Sequence, residues 1–373
     1  MALERIAICT AGELFGGVER HILGLLSGLA LRDVAVTLVL FYEGELAAQA
    51  RILGIEPIIF SRRKLAALGN SVRLACILRQ SRIRVVHVHG YKATVVCALA
   101  RSWHSFALVK TEHGLPEPIT GGAIRVWRDR LYHLLDRVAT QMSNATVCYV
   151  TKDLRECFRR AHNGLQTTVI PNGLHNMNAK QFRRPPEMRH DWFNILMLGR
   201  LDFVKGHHLA IDALADKNTS PDVHLQILGE GPRMLELQAL ARARGISHRT
   251  HLLGFRRNVY EYIAHCDVIL MPSLHEGLPY SLLEAMALGA PIIASRVGGL
   301  AEVLEDQTTG LLVAPLDAAA ITSAIRRLQT SGALRAALGQ AAQCVQKTRY
   351  SLDTMILNYI QVYQHPDLKR RNH

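Results

Sequence analysis

Two glutamates, Glu276 and Glu284, are spaced E-x7-E in the run PSLHEGLPYSLLEAMALG. An apolar strand, CDVILM (Cys266 to Met271), leads into it, and Pro272 and Ser273 end that strand. Pro279 suits a first helical position, where its missing N–H costs nothing, so a helix is expected from about residue 279. Glu276 then lies in the loop ahead of the helix and Glu284 on its second turn, both near an N-terminal end whose unpaired N–H groups attract anions. Acids beside an anion site suggest a polar, phosphate-bearing ligand. In FNILMLGRLDFVKGHHLAIDALA a strand ends at Gly199 and the following loop carries Arg200 and Lys205, with Gly206 before a helix. A planar guanidinium fork and a compact ammonium at one strand-to-helix turn suit a diphosphate.

Similar turns recur in the first half. RIAICTAGELFGGVERHILGLLSGLA reads as strand, glycine-rich turn and helix, with Val18, Ile22, Leu25, Leu26 and Leu29 at helical spacing. Gly16 and Gly17 there permit positive φ or close backbone approach ahead of a helix N-terminus, a geometry that receives phosphate. His113 follows the strand ALVKTEHG and precedes Gly114, and His87 and His89 lie in RVVHVHG. At most one of the latter two is expected to face a crevice, and a structural role is the default for both.

Positioning these side chains requires strands alternating with helices. Residues 34–41, 56–60, 84–90, 107–114 and 145–150 read as strands and 167–174 as a strand ending in a Pro-Asn-Gly turn, with helical patterns near 44–54, 67–81, 91–101, 123–141 and 151–160. This rhythm implies parallel sheets covered on both faces, whose ligands gather beyond the strand carboxyl ends. At 373 residues two domains are expected. The boundaries read as 1–175, a polar, proline-containing linker at 176–192, a second domain at 193–350, and a C-terminal helix and tail at 351–373. Strands at 251–255, 291–295 and 310–313 and helices over 317–347 complete the second domain, and Ser351 caps the last helix.

Composition narrows the function classes. Residues 1–184 hold 25 Lys and Arg against 13 Asp and Glu, a net +12, whereas residues 185–373 hold 19 against 18. A one-sided basic surface suits an anionic membrane, nucleic acid or an acidic substrate, with solubility charge alone as the alternative. Arg125, Arg128 and Arg130, with Leu131, Leu134 and Leu135, form an amphipathic helix whose apolar side is expected in the core, a bilayer-bound helix being the alternative. Arg62, Arg63 and Lys64 add a second basic cluster. The seven cysteines form no C-x-x-C pair and read as reduced, buried thiols. No apolar run approaches a membrane span and the chain opens directly into a strand, so a cytoplasmic location is expected. There is no D-x-D, G-x-S-x-G or G-K-[ST] run, which leaves a catalytic metal, a serine nucleophile elbow and a P-loop unsupported.

Taken in order, GGVERH, TEHG, VIPNG, LGRLDFVKG, LGEGP and HEGLPYSLLEAMA resemble the retaining glycosyltransferases of family 4, over almost the whole chain. The resemblance implies the GT-B fold, two Rossmann-like domains with parallel sheets facing a cleft, the last helix crossing back to the first domain. It implies a nucleotide-sugar donor, with Arg200 and Lys205 on the diphosphate, Glu284 on the ribose and Glu276 on the donor sugar. Gly16 and Gly17 would close over the phosphate and His113 would reach the sugar near the reacting carbon. Gly277 and the amides of Leu278, Tyr280 and Ser281 would line the donor site, and Phe255 and Arg256 would frame the base. Pro279 departs from the commoner small residue and supplies no N–H. No metal and no cofactor are implied. The acceptor would be a saccharide or a lipid-linked saccharide, with UDP-sugar the preferred donor and no nucleic acid partner; the +12 charge of the first half, apart from the resemblance, favours an anionic or membrane-borne acceptor and a place on the inner face of the cell membrane. A sugar-nucleotide epimerase and a non-catalytic basic membrane- or nucleic-acid-binding protein are the competing readings.

Overall fold

A computed structural model describes residues 5–13, 16–60, 67–115 and 123–365, apart from the side chains of 123–126 and 129. The basic cluster Arg62, Arg63 and Lys64 and the Arg125 side chain lie outside the described residues. The chain divides into two compact units, residues 1–173 with 352–373, and residues 174–351.

The first unit contains β1 (Arg5–Thr10), α1 (Gly17–Ala30), β2 (Ala35–Leu40), α2 (Glu45–Ile52), β3 (Ile58–Ile59), α3 (Ala67–Gln80), β4 (Val85–His89), α4 (Tyr91–Ala100), β5 (Ala107–Glu112), α5 (Ala123–Met142), β6 (Thr146–Tyr149), α6 (Lys152–Cys157) and β7 (Thr167–Val169). Its sheet runs β3-β2-β1-β4-β5-β6-β7 and every pairing is parallel. The order reverses between β1 and β4, so the loops after these strands diverge and leave room for a ligand beyond their carboxyl ends.

The second unit contains β8 (Phe193–Leu198), α7 (His207–Ala215), β9 (Val223–Leu228), α8 (Met234–Ala243), β10 (Thr250–Gly254), α9 (Val259–His265), β11 (Val268–Met271), α10 (Tyr280–Ala287), β12 (Ile292–Ser295), α11 (Gly298–Val303), β13 (Leu311–Val313), α12 (Ala318–Thr330) and α13 (Gly332–Arg349). Its sheet runs β10-β9-β8-β11-β12-β13, again parallel, with the reversal between β8 and β11. Continuous apolar runs such as VILM are buried on both faces, as a sheet sandwiched by helices requires.

The last helix, α14 (Leu352–Gln364), belongs to the first unit. It packs on α1 so closely that a Cβ added at Gly28 would lie 2.4 Å from Ile356 Cγ1. Residues 176–192 differ from a linker: they belong to the second unit. Their absence of periodicity hid specific anchors. Trp192 stacks on His224 at 3.7 Å, and the Phe182 carbonyl accepts from His265 Nε2 at 2.9 Å. Ser331 splits the helical stretch near residue 330 by accepting from the Leu334 N–H as an N-cap. All seven cysteines are free, but Cys76, Cys157 and Cys344 are exposed rather than buried, because each lies on the outer face of its helix. The apolar side of α5, expected in the core, lies outward: Trp127, Leu131, Leu134, Leu135, Val138 and Met142 are solvent-exposed, because the helix turns Asp136 inward to buried Lys110, whose Nζ donates to Asp136 Oδ2 at 2.6 Å. Among the described residues no helix is long and apolar enough to cross a membrane.

A polar seam runs through the first unit's core. His87 and His89 are buried on one face of β4, their rings 4.2 Å apart. They share that face because residues i and i+2 of a strand point the same way, and their burial and bonding agree with the structural role expected of both. His87 shares hydrogen bonds of 2.7 Å with the Tyr363 hydroxyl of α14 and with Thr111 Oγ1, and Thr111 bonds Tyr359 at 2.9 Å. His21 of α1 is fully buried against Asn172, 2.9 Å away. Burial lowers the pKa of His21 to about 4, and burial with the neighbouring His21 holds His87 well below its ordinary value.

Two outcomes follow from this packing. Gly28→Ala lowers stability by about 1–3 kcal/mol through overpacking, and Ile356→Val restores part of it, as a double-mutant cycle in urea measures. Because the folded pKa of His21 lies below its unfolded value of 6.5, only the unfolded chain takes up its proton as pH falls from about 6.5 toward 4, and stability falls with it. By pH 5 the loss from His21 is about 2 kcal/mol. Unfolding at pH 7.5 and pH 5.0 measures it, and an unchanged midpoint, or the same drop in His21→Gln, contradicts it.

Candidate functional site

The switch point of the second unit brings together the loop after β8 and the loop after β11. Gly206 closes the first of these loops at φ +70°, and a Cβ there would lie 2.1 Å from the Pro272 carbonyl oxygen, so only glycine lets the two loops approach this closely. The Leu274 N–H donates to the Val204 carbonyl at 2.8 Å and ties them. Gly229, at φ +148°, performs the same service one strand over, since its Cβ would meet the Gly199 carbonyl at 1.9 Å. The glycines of LGEGP therefore shape the arginine-bearing loop from behind.

Across this junction Lys205 Nζ donates to Glu276 Oε1 at 2.6 Å, and Ser273 Oγ donates to the same oxygen at 2.8 Å. Glu276 is 8% exposed, so its carboxylate depends on these partners. Asp202 organises the cationic loop, accepting from the Lys205 N–H at 3.2 Å and from the Arg200 guanidinium at 2.9 Å. The Arg200 side chain remains 55% exposed, able to turn toward an incoming anion. Buried His207 opens α7 beside Lys205, and burial lowers its pKa to about 4 with Asp202 opposing, so the wall behind the cations adds no charge at neutral pH.

Pro279 is the N-cap of α10, one position earlier than expected, and the helix begins at Tyr280. Its extended ψ of 139° explains the shift, since a first helical residue needs helical ψ. Gly277 and Leu278 lie in the approach, Tyr280 and Ser281 in the first turn, and Glu284 on the second turn, 2% exposed, where it accepts from the Tyr260 hydroxyl at 3.5 Å. The Glu276 carbonyl accepts from Gly299 N–H at 3.1 Å, at the start of α11, which fixes the acid's backbone. Phe255 and Arg256 follow β10, two strands from β8. Phe255 is exposed, and Arg256 bonds Tyr262 at 3.3 Å and approaches Glu187 at 3.7 Å instead of joining the Lys205–Glu276 pair.

On the first unit, Gly16 is the N-cap of α1 with an extended φ of −151°, so neither it nor Gly17 adopts the positive φ that was one reason to expect glycine. Space is the surviving reason, because a Cβ at Gly16 would meet only Glu19 Oε2, at 3.7 Å. That carboxylate already accepts from the Gly16 N–H at 2.9 Å, so a phosphate arriving here would displace an acid. His113 shares a 2.9 Å hydrogen bond with His89 and lies 4.8 Å, ring to ring, from His21. Burial, with His21 and His87 adding to it, keeps His113 well below its ordinary pKa, and it is neutral at pH 7. Among the described residues His21, His89 and His113 are the group that could hold a metal, their nitrogens lying within 4.8 Å of one another. Mutual bonding and Asn172 already use part of that donor set.

Asp202, Ser273 and His207 were not singled out from the sequence. Asp202 stands inside RLDFVKG and Ser273 directly ahead of the acid loop, so distance from Lys205 and Glu276 along the chain was the available signal.

Comparison with known proteins bears on what this arrangement serves. The family model described as Glycosyl transferases group 1 matches residues 178–344, and that described as Glycosyltransferase Family 4 matches residues 15–175. An uncharacterised glycosyltransferase of Methanocaldococcus jannaschii is 26% identical over 303 residues, 77% of each chain. The UDP-Gal:alpha-D-GlcNAc-diphosphoundecaprenol alpha-1,3-galactosyltransferase of Escherichia coli is 24% identical over 271 residues, 69% of each. In fold the chain is similar to Anabaena HepE, solved in complex with UDP-glucose, with a TM-score of 0.80 at 23% identity over 96% of this chain and 99% of that one. Both units are thus accounted for by one lineage, and the chain belongs to the group 1 glycosyltransferases of family 4, a transferase with the GT-B fold.

Proposed function

We propose that this glycosyltransferase moves a sugar from a UDP-sugar to a saccharide or lipid-linked acceptor in cell-surface polysaccharide or glycolipid synthesis, with retention of anomeric configuration and without a metal. The observation that carries the reading is the Lys205–Glu276 pair, held at 2.6 Å where the second unit's strand order reverses. A nucleotide sugar offers both partners a better contact: its diphosphate takes Lys205 and Arg200, and its sugar hydroxyls donate to Glu276. Glu284 is assigned to the ribose, and the amides of Leu278, Tyr280 and Ser281, with Gly277 beside them, to the phosphates and sugar. Phe255 and Arg256 are assigned to the base. Gly16, Gly17 and His113 of the first unit are assigned to phosphate and to the reacting sugar. Uridine as the base is supported by the UDP-glucose and UDP-Gal named for the similar proteins above. A lipid-linked acceptor is supported by the diphosphoundecaprenol substrate named for the Escherichia coli relative and by the basic first half.

Chemically, breaking the bond between the anomeric carbon and the phosphate oxygen leaves negative charge on the diphosphate. Lys205, Arg200 and first-turn N–H groups of α10 stabilise that charge more in the transition state than before it. They supply what a divalent cation supplies elsewhere. Glu276, locked by Ser273 and Lys205, is better placed to hold hydroxyls than to form a covalent bond, so the acceptor attacks on the face from which the diphosphate departs. A cytoplasmic enzyme peripheral to the inner face of the membrane would meet both substrates.

A product screen across UDP-, GDP- and ADP-sugars identifies the donor, and the anomeric configuration of the product, read by NMR, tests retention. Lys205→Ala and Arg200→Ala each lower kcat/KM by about 10²–10³, with kcat falling as far as kcat/KM. An inverted product, a glycosyl-enzyme trapped by Glu276→Gln, or variants that raise KM alone would contradict the mechanism. Gly206→Ala, which touches no substrate in this scheme, lowers kcat as well by forcing the Lys205 loop from Pro272. An unchanged rate in that variant would show that loop approach is not required.

A further inference from the structure

His21 of α1, His89 at the end of β4 and His113 in the turn after β5 each present one nitrogen within 4.8 Å of the others. Neither the polar seam nor the assignment of His113 to the sugar accounts for all of these nitrogens. Asn172 Oδ1 can only accept, so His21 Nδ1, 2.9 Å away, donates to it and His21 Nε2 is left with the lone pair. That Nε2 is buried and has no hydrogen-bond partner among the described residues. His89 Nδ1 and His113 Nε2 share one hydrogen bond, and His89 Nε2 is likewise buried without a partner among the described residues. A buried polar atom with no partner is costly, and two in one cluster call for a ligand.

A ligating imidazole commonly donates its second N–H to an oxygen, which fixes the tautomer and leaves the other nitrogen's lone pair for the ion. Asn172 does this for His21. Three neutral imidazoles suit Zn²⁺, Cu²⁺, Ni²⁺ or Co²⁺ and are poor ligands for Mg²⁺ and Ca²⁺, which take oxygen. Nitrogens on one tetrahedral ion lie about 3.3 Å apart at the usual bond lengths, so the widest gap must close by about 1.5 Å at most. His113 is the ring placed to move: it is half-buried on a turn, whereas His21 and His89 are buried on a helix and a strand. The same partial exposure gives an ion its way in. On binding, the His89–His113 hydrogen bond is given up and each of the two rings offers a lone pair.

We propose that His21, His89 and His113 form a binding site for a single transition-metal ion of the zinc class, with Asn172 holding His21 as a ligand. The ion is not a cofactor of the transfer. It competes for His113, and on the reading that assigns His113 to the reacting sugar it inhibits the enzyme. The inhibition rests on that reading, whereas the site does not.

Titration of the chelator-treated full-length protein with Co²⁺ and Zn²⁺ tests the site without donor or acceptor. A single Co²⁺ binds per chain with the visible d–d bands of a four-coordinate nitrogen site, Zn²⁺ displaces it, and Mg²⁺ in excess does not. His21→Gln and His113→Gln each weaken Zn²⁺ binding more than tenfold, and Asn172→Ala weakens it by about 10–100-fold. His248→Gln, at an exposed position, leaves binding unchanged. Because His113 is only half-buried, its variant keeps the melting curve of the wild type and separates a lost ligand from a lost fold. No binding by the wild type, equal binding by His113→Gln, or binding lost in His248→Gln would each overturn the proposal, the last in favour of adventitious surface histidines. Displacement by Mg²⁺ would also overturn it, by placing the ion on carboxylates. Transfer, assayed separately, tells the two readings apart. Zn²⁺ inhibition that a chelator reverses, and that needs over tenfold more ion in His21→Gln, supports both. Stoichiometric binding without inhibition keeps the site and overturns the assignment of His113 to the sugar.

Discussion

The approach of the β8 loop to the β11 loop is the constraint on which the site depends. A parallel sheet whose order reverses between these strands opens a gap beyond them, and Gly206 and the Val204–Leu274 bond then draw the two loop ends back together. The ammonium of one loop meets the carboxylate of the other, so neither group is buried without a partner. Such a pair is selective in what separates it. Phosphate alone would satisfy Lys205 and leave Glu276 with one hydroxyl donor, while a neutral sugar alone would do the reverse. A ligand carrying anion and hydroxyls on one frame satisfies both, which is why a cation–acid contact suits a nucleotide-sugar reading better than a phosphate-binding one.

Most of the fold was legible because parallel sheets write strongly. Apolar runs bounded by glycine or proline marked β1, β2, β4, β5, β6, β8 and β11 within a residue or two, and helical spacing marked α1, α3 and α4. The site was legible to the extent that its residues sit at strand ends, a position fixed by local pattern. Arg200, Lys205 and Glu276 were singled out this way, and the structure pairs Lys205 with Glu276. What pairs with them was not, because Ser273 and Asp202 stand close by along the chain and closeness alone does not say which side chain turns back to bond. The stretch 176–192 failed for a related reason: it is anchored by single contacts such as Trp192 on His224, which leave no period.

The histidines of the first unit show the same limit from another side. His21, His87, His89 and His113 come from α1, β4 and the turn after β5, and only the sheet order β1-β4-β5 makes them neighbours. Once clustered, they hold one another neutral, since burial and mutual repulsion both oppose a proton. A residue assigned to a reacting sugar is then a hydrogen-bonding imidazole, poised by His89, rather than a cation. Tyr359 and Tyr363 of α14 complete this network, so the chain's return to the first unit fixes the polar core as well as covering the apolar one.

Periodicity located the apolar stripe of α5 but could not say which way it points. Helical spacing of apolar residues specifies only that one face differs from the other, and in a globular unit the inference that the apolar face turns inward normally holds. Here a competing demand acts against it. Lys110 is 1% exposed in the middle of β5, burial works against its charge, and the attraction of Glu112 and Asp136 outweighs burial so that its pKa is raised. Removing Asp136 from that position would leave an under-compensated buried ammonium, an effect of about 3–5 kcal/mol. Exposing the leucines acts the other way, at about 1.5–3 kcal/mol for each one fully exposed to water, so the rotation of α5 sets an ion pair in the core against an apolar face in water. A buried ion pair in the core thus determines what the surface of the same helix offers.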